Sequence, residues 1–294
     1  MKTLLKIQQF LSIIINTIIS ILRVFLRFRF KSDLNKINDK KDKLLIIANG
    51  PSFKNSLDKH PDFISGMPKM CVNLFALSPE YVQLKPEYCV IVDIAFFINN
   101  TIPRVKEATE KMIIAFKEKT TWKINLILPY EARGSKFHKE LEATGELFSF
   151  IFFNRTKITG LRSVRHYLYR KNLGMPPPQN VLIASIMIAL NMHYKQIYLM
   201  GADHSWHESI KIVDGNKMEI EDSHFYDKNE NRKLVIQDPE TQEEIKLHEF
   251  FKILTKVFSS HWYVEEYAQS IDSNIYNASE KSYIDAFEKI IPGE

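Results

Sequence analysis

The residues best suited to chemistry stand directly after apolar runs, at four places in the chain. Asn49-Gly50-Pro51-Ser52 follows LLIIA, Asn73 ends MCVN, Asp93 ends VIVD, and Gly201-Ala202-Asp203 follows QIYLM. If those runs are parallel strands, their carboxyl ends share one edge of a sheet, where doubly wound proteins bind ligands. Glycine lets the backbone approach a ligand closely, and an asparagine amide both donates and accepts hydrogen bonds. These residues predict a nucleotide or sugar-nucleotide site.

A second group of polar and aromatic residues is crowded behind the last of these strands: Asp203, His204, Trp206 and His207. Histidine can act as a general base near neutral pH, and tryptophan can stack on a sugar or a base. The same residue types could bind a metal, but a strand-end site usually needs a further carboxylate. We therefore predict no metal and no cofactor. His224 and Tyr226 follow within the polar segment 204–243, which we interpret as a lid carrying a second source of a base.

A basic segment lies between two of the predicted elements. Arg162, Arg165 and His166 fall on one face of a predicted helix at 161–171, where Arg162 could bind a phosphate or an anionic acceptor. A solvent-exposed basic helix explains the same pattern.

The N-terminal segment 1–31 contains six basic residues and no acidic one. Between residues 4 and 26, polar residues recur every three or four positions, which predicts an amphipathic helix with a wide apolar face. The uncharged stretch from Ile7 to Leu22 is shorter than the ~20 residues of a spanning helix. A helix lying on an anionic membrane, peripheral or monotopic and at the cytoplasmic face, fits best. A helix docked on the body and a short single span remain as alternatives.

The body alternates apolar runs with helical segments, which predicts an α/β fold: a Rossmann-like, mostly parallel sheet with helices on both faces. The predicted organisation is a membrane-associated helix at 1–31, a solvated linker at 32–43 and one domain at 44–294, with the lid at about 204–243. The chain carries a net charge of +5, but outside residues 1–31 it is close to neutral, so no nucleic-acid partner is expected. Cys71 and Cys89 stand in apolar runs and suit a reduced compartment.

Taken together, IANGPS, the asparagine of VNLF and the unit IASIMIALNMHYKQIYLMGAD resemble the bacterial sialyltransferases that modify lipooligosaccharide from CMP-sialic acid. Motility-associated glycosyltransferases and pterin diphosphokinases of the archaeal type share this outline more distantly. The resemblance runs from residue 44 to about 265.

The resemblance implies a CMP-sugar donor, a glycan or glycolipid acceptor, and inverting transfer without a metal. It places Asn49, Gly50, Ser52 and Asn73 at the nucleotide, and Asp93 where the family has another ligand-contacting residue. Gly201 and Asp203 match its G-x-D turn, and His224 resembles the base in its lid. Because the family's base lies slightly further along, His204 and His207 remain alternative bases. A homo-oligomer remains open.

Two other functions fit the same residues. A diphosphokinase would need ATP, Mg²⁺ and carboxylates near the phosphates, for which Asp93 and Asp203 are the candidates. A non-catalytic membrane-associated scaffold would keep the fold without binding a nucleotide.

Overall fold

The computed structural model describes residues 2–27, 33–36, 42–98, 102–222, 232–235 and 243–293. A parallel sheet of eight strands forms the centre of the molecule. In chain order its strands are β1 (Lys43–Ile47), β2 (Lys69–Val72), β3 (Tyr88–Val90), β4 (Ile124–Pro129), β5 (Phe148–Phe153), β6 (Gln196–Met200), β10 (Asn274–Asn277) and β11 (Glu288–Lys289). Their order across the sheet is β5-β4-β3-β2-β1-β6-β10-β11. This architecture confirms the predicted fold class.

The helices cover both faces of the sheet. They are α1 (Lys2–Arg27), α2 (Ser52–Lys59), α3 (Pro61–Ser65), α4 (Glu80–Leu84), α5 (Pro103–Lys119), α6 (Lys136–Glu142), α7 (Arg162–Arg170), α8 (Val181–Asn191) and α9 (Leu247–Gln269). Leu44 and Ile46 pack into one buried cluster with α8, whereas Leu45 and Ile47 pack into a second cluster on the other face. Burial on both faces is what a continuous apolar run in a parallel strand requires.

Part of the predicted lid forms its own small sheet. β7 (Lys211–Val213), β8 (Lys217–Asp222) and β9 (Arg232–Val235) pair antiparallel. Met218 and Ile220 of β8 pack on Phe250 and Leu254 of α9. The described part of this segment is therefore attached to the body through a third apolar cluster.

Three local predictions are wrong. The apolar runs at 111–115 and 261–264 predict strands but lie in α5 and α9, and the pattern at 279–290 predicts a helix but this segment ends in β11. In α5, Met112, Ile113, Ala115 and Phe116 are buried while Ile114 is 51 % exposed, which is a helical spacing inside a short apolar run. A run of this length cannot be assigned from its hydrophobicity alone.

The predicted linker also contributes to the body. Residues Asp33–Lys36 form a 3-10 turn, in which Leu34 is buried in the core cluster beside α8 and Asp33 pairs with Arg133 at 2.9 Å. Leu34 is a single apolar residue in a polar segment, so no hydrophobic periodicity predicted this contact.

Candidate active site

The order in which the chain adds strands reverses between β1 and β6. The strands from β2 to β5 are added on one side of β1, and the later strands are added on the other side. In open α/β sheets, ligands bind at the carboxyl ends of the strands at such a point. A cleft of about 940 Å³ opens there. Its walls are the turns after β1, β2 and β6, the start of α8 and the segment from Trp206 to Lys211.

The turns after β1 and β6 form the floor of the cleft and are bonded to each other. Gly50 N–H donates to the Gly201 carbonyl oxygen at 2.8 Å. Ser52 N–H and Ser52 Oγ donate to the two carboxylate oxygens of Asp203 at 3.0 and 2.6 Å. A Cβ at Gly50 would lie 2.6 Å from Asp203 Cγ, so only glycine allows this approach. Burial raises the pKa of Asp203, and the two bonds from Ser52 oppose that rise.

These bonds change the role that the sequence suggested for the first turn. The resemblance places Gly50 and Ser52 of this turn at the nucleotide. Gly50 and Ser52 instead donate to Gly201 and Asp203, and Phe53 N–H donates to the Gly50 carbonyl oxygen at 3.1 Å. The turn lines the cleft, but these three N–H groups are already occupied within the protein.

Two asparagines above this floor have unpaired acceptors. Asn49 and Asn73 line the cleft after β1 and β2, and their side-chain oxygens are buried without a hydrogen-bond partner among the described residues. The Asn49 amide nitrogen lies 3.4 Å from the Val72 carbonyl oxygen, which directs the amide. A buried acceptor without a partner costs about 1–3 kcal/mol, so a ligand that donates hydrogen bonds here would remove that cost.

His204 stands at the wall of the cleft in a small polar network. Its Nε2 lies 2.9 Å from the Asn180 amide nitrogen and 3.1 Å from Nε2 of the fully buried His261. Asn180 Oδ1 accepts from Ile183 N–H at 3.0 Å, where it caps α8, so the amide nitrogen faces His204 as a donor. Nε2 of His204 must therefore accept, which assigns the ring proton to Nδ1.

Burial lowers the pKa of His204 to about 3. The pKa of His261 is lowered by burial and then by His204. A general base works best with a pKa near the working pH, so His204 in this environment is a poor base. A neutral imidazole with a fixed proton on Nδ1 is instead suited to donate a hydrogen bond to an anionic or carbonyl oxygen.

The other wall of the cleft is aromatic and charged. Trp206 lies with its ring 4.6 Å from the His204 ring, and Lys211 and Lys281 also line the cleft. Glu208 accepts from Lys281 and from the Tyr283 hydroxyl. Lys281 and then Tyr283 hold the pKa of Glu208 below its usual range, and Glu208 raises the pKa of Lys281. The lysine is therefore positively charged at neutral pH.

Not every predicted site residue reaches the cleft. Pro51 and Gly201 line it with the residues above, whereas His207 packs its ring edge-on against Tyr283 at 4.3 Å and is not part of the lining. His224 and Tyr226 lie in 223–231, outside the described residues. Their proposed roles stay predictions.

Asp93 and Arg162 lie away from the cleft lining. Asp93 is exposed and accepts from Ala95 N–H at 2.9 Å, which caps a single helical turn after β3. Arg162 pairs with Glu266 of α9 at 2.8 Å, with its side chain 61 % exposed. In both cases a local partner explains the residue, since short polar side chains after strands often cap turns and basic helix faces often pair with neighbouring acids.

Sequence reasoning missed Asn180, His261 and Lys281. Asn180 had a signal, because an asparagine directly before a long apolar helix is a typical N-cap. His261 and Lys281 come from distant elements, and only the tertiary fold brings them to His204 and Glu208. Among the described residues, no group of three or more His, Cys, Asp and Glu side chains gathers as a metal site would require.

Comparison with known proteins supports the fold. No protein-family model matches the chain, and no curated protein matches it significantly. Among solved structures, the MAf glycosyltransferase from Magnetospirillum magneticum AMB-1 aligns with a TM-score of 0.50 and 11 % sequence identity. The alignment covers 85 % of this chain and 34 % of that chain, so this chain spans about a third of that protein's length. At this identity, the likeness shows a shared fold.

Proposed function

We propose that the protein is a glycosyltransferase that moves sialic acid or a related sugar from a CMP-activated donor to a glycan or glycolipid acceptor at a membrane. The observation that carries the proposal is the cleft at the switch point between β1 and β6. It combines unpaired amide acceptors, an aromatic ring, a neutral imidazole and a charged lysine within about 940 Å³. The fold shared with a glycosyltransferase supports the same class of reaction.

The chemistry of a nucleoside monophosphate matches the two sides of this cleft. Hydroxyl and amino groups of the nucleoside can donate to the unpaired oxygens of Asn49 and Asn73. The phosphate carries negative charge that Lys281 can neutralise, and Nδ1–H of His204 can donate to a phosphate oxygen. Trp206 offers a flat apolar face to a sugar or a base.

In the proposed reaction, the bond between the anomeric carbon and the phosphate oxygen breaks, and its electron pair leaves with the phosphate. Lys281 and His204 stabilise the charge that grows there, which is usually the largest electrostatic contribution to such a step. The acceptor hydroxyl oxygen forms the new bond from the opposite face and loses its proton to a base. His224 in the lid remains our proposal for that base, a role typically worth ~10²–10⁴-fold in rate.

Calorimetric titration of the purified protein with CMP, UDP and ATP, each with and without Mg²⁺, tests the nucleotide first. We expect CMP to bind equally in both conditions. Asn73→Leu should weaken CMP binding, because it removes an acceptor in the cleft. Asn125→Leu is the matched control, since Asn125 lies on β4 outside the cleft lining. Equal CMP affinity in the two variants would contradict the assignment of Asn73.

Activity assays then test the base. His224→Ala should abolish transfer from a CMP-sugar donor while CMP binding stays, whereas unchanged turnover would exclude this base. Mg²⁺-dependent ATP binding would support the diphosphokinase alternative. The structure gives that alternative little support, since Asp93 caps a turn outside the cleft and Asp203 is hydrogen-bonded to Ser52. No nucleotide binding at all would favour a scaffold.

A further inference from the structure

The polar stripe of α1 is the side that contacts the body. Thr17 Oγ1 accepts from Leu161 N–H at 2.8 Å, and Ser20 Oγ accepts from Thr159 N–H at 2.9 Å. Gly160 between them has a φ of +104°, and a Cβ there would lie 2.6 Å from Thr17 N. Thr17 is 6 % exposed and Ser20 is fully buried. The middle of α1 is therefore fixed to the loop that precedes α7.

The apolar side of α1 is left uncovered by the part of the chain that the structure describes. Eight apolar residues of α1 are each more than half exposed: Ile7, Phe10, Leu11, Ile15, Ile18, Leu22, Phe25 and Leu26. At 100° per residue they are centred roughly 140° around the helix from Thr17, Ser20 and Val24, which contact the body. Lys6–Arg27 is long and apolar enough to cross a membrane, and only 17 % of its apolar 18-residue stretch is buried.

Cations of α1, of the chain after β5 and of α9 act on one another. Ser20 contacts Thr159, which places Arg23 about one helical turn from that contact and Lys157 two residues from it, and the charges of Arg23 and of Lys256 on α9 both act on Lys157. Burial, followed by the positive charges of Arg23 and Lys256, lowers the pKa of Lys157. No ion pair joins any of the three to a described carboxylate.

The neighbouring arginines behave differently. Arg27 lies 3.7 Å from Glu131, and Arg162 lies 2.8 Å from Glu266. Acids are thus present close by in the fold, but they pair with other cations. The cluster of Arg23, Lys157 and Lys256 keeps an uncompensated positive charge beside an uncovered apolar face, which is the combination that anionic lipid surfaces attract.

We propose that α1 lies in the plane of an anionic bilayer while docked on the body, and that a lipid phosphate binds among Arg23, Lys157 and Lys256. A spanning α1 would draw the Ser20 contact and its polar loop into hydrocarbon. The inference specifies the membrane association in the proposed function and is independent of the nucleotide and of catalysis.

Vesicle flotation of the full-length protein tests the lipid phosphate. We expect binding to phosphatidylcholine vesicles that contain phosphatidylglycerol, and a loss of roughly fivefold in affinity for each of Lys157→Gln and Lys256→Gln. The matched control is Lys106→Gln with Lys123→Gln, two exposed lysines elsewhere. If the two pairs of variants bind equally, the phosphate site is wrong. If inorganic phosphate protects Lys157 and Lys256 from acylation as well as vesicles do, the ligand is a free phosphate and the proposal fails.

The depth of labels in the bilayer tests the orientation. Fluorophores on cysteines introduced at Ile7 and Phe25 are about 27 Å apart along the helix. An in-plane helix predicts equal quenching depth for both, whereas a spanning helix predicts opposite ends of the hydrocarbon. Cys71 and Cys89 are buried, so the introduced sites react first.

A second copy of the chain could cover the apolar face instead of lipid. Light scattering would then show a dimer that Ile18→Asn dissociates, and vesicle binding would be absent in the parent protein, which overturns the proposal. Urea denaturation of every variant reports whether the body is folded. Failure of CMP binding in the parent protein would contradict the proposed function and leave the vesicle result unaffected.

Discussion

The floor of the cleft and the surface of α1 differ in whether their polar and apolar groups have partners within the described part of the protein. In the floor, the N–H groups of Gly50 and Ser52 and the carboxylate of Asp203 all find partners within the protein. On α1, the cation of Arg23 pairs with no described acid, and a row of apolar side chains is left uncovered by the described residues. The first region holds two strand ends in place. The second is left uncovered by the described part of the chain.

This difference shows how a motif can mislead. The turn at Asn49–Ser52 has the composition of a phosphate-binding turn, yet its bonds make it a support. Around it, Asn49, Asn73, His204 and Lys281 line the cleft, and the side-chain oxygens of the two asparagines have no partner among the described residues. Residue type indicates where a site lies, and the hydrogen bonds made within the protein determine which of its polar atoms remain available.

Filling the floor should have the largest effect. Gly50→Ala places a methyl group against Asp203 and the Gly201 carbonyl oxygen. We expect the free energy of unfolding to fall by about 3 kcal/mol, the upper end for overpacking, with loss of CMP binding. Gly66→Ala is the control, since its Cβ would come no closer to a neighbour than 3.3 Å, at the Asp62 carbonyl oxygen. Urea denaturation measures the stability of the two variants. Equal midpoints would show that the turns after β1 and β6 are not tightly packed against each other.

Acid should weaken the wall of the cleft next. The pKa of His204 is about 3 in the fold and about 6.5 in an unfolded chain, so only the unfolded state takes up this proton in between. The contribution of His204 to the free energy of unfolding is then fully present above about pH 6.5 and is lost as the pH falls. We expect a loss of about 2 kcal/mol between pH 6.5 and 5 from this group.

Urea denaturation at several pH values checks this slope in the parent protein, in His204→Gln and in His248→Gln, an exposed control on α9. The slope should decrease in the first variant only. His261, whose pKa burial also lowers, adds a loss in the same direction. An unchanged slope in His204→Gln would mean that the His204 ring is already protonated or solvated in the fold.

Cutting the contact between α1 and the body should have a smaller effect. Ser20→Ala removes the acceptor for Thr159 N–H, for which we expect a cost of about 1 kcal/mol. The variant should bind anionic vesicles as well as the parent protein does, because the apolar face is intact. Ser12→Ala on the exposed part of α1 is the control. Weaker vesicle binding in Ser20→Ala alone would mean that docking on the body orients the apolar face.

The smallest effect is expected at the arginine that the sequence placed in the site. Arg162→Gln breaks a largely exposed pair with Glu266, and such pairs contribute about 0–1 kcal/mol. CMP affinity and transfer activity should stay unchanged, since Arg162 is not part of the cleft lining. A large loss of activity with normal stability would return Arg162 to the site.

The sequence predicted the sheet edge because buried parallel strands leave a continuous apolar run, as in β1 and β6, and polar residues mark their ends. It did not distinguish the buried strand from a short helical face in α5, where only the neighbouring elements decide which residues are covered. The partners of His204 could not be predicted either. Asn180 and His261 are 24 and 57 residues away from it, and no local pattern joins such positions.

The contact between Ser20 and Thr159 joins residues that are 139 positions apart. At a synthesis rate of ~5–20 residues per second, Ser20 leaves the ribosome roughly ten seconds before its partner is made. During that interval both sides of α1 are uncovered. In the proposed membrane association, the bilayer therefore takes up the apolar side first, and the body then folds beside a helix that is already in place.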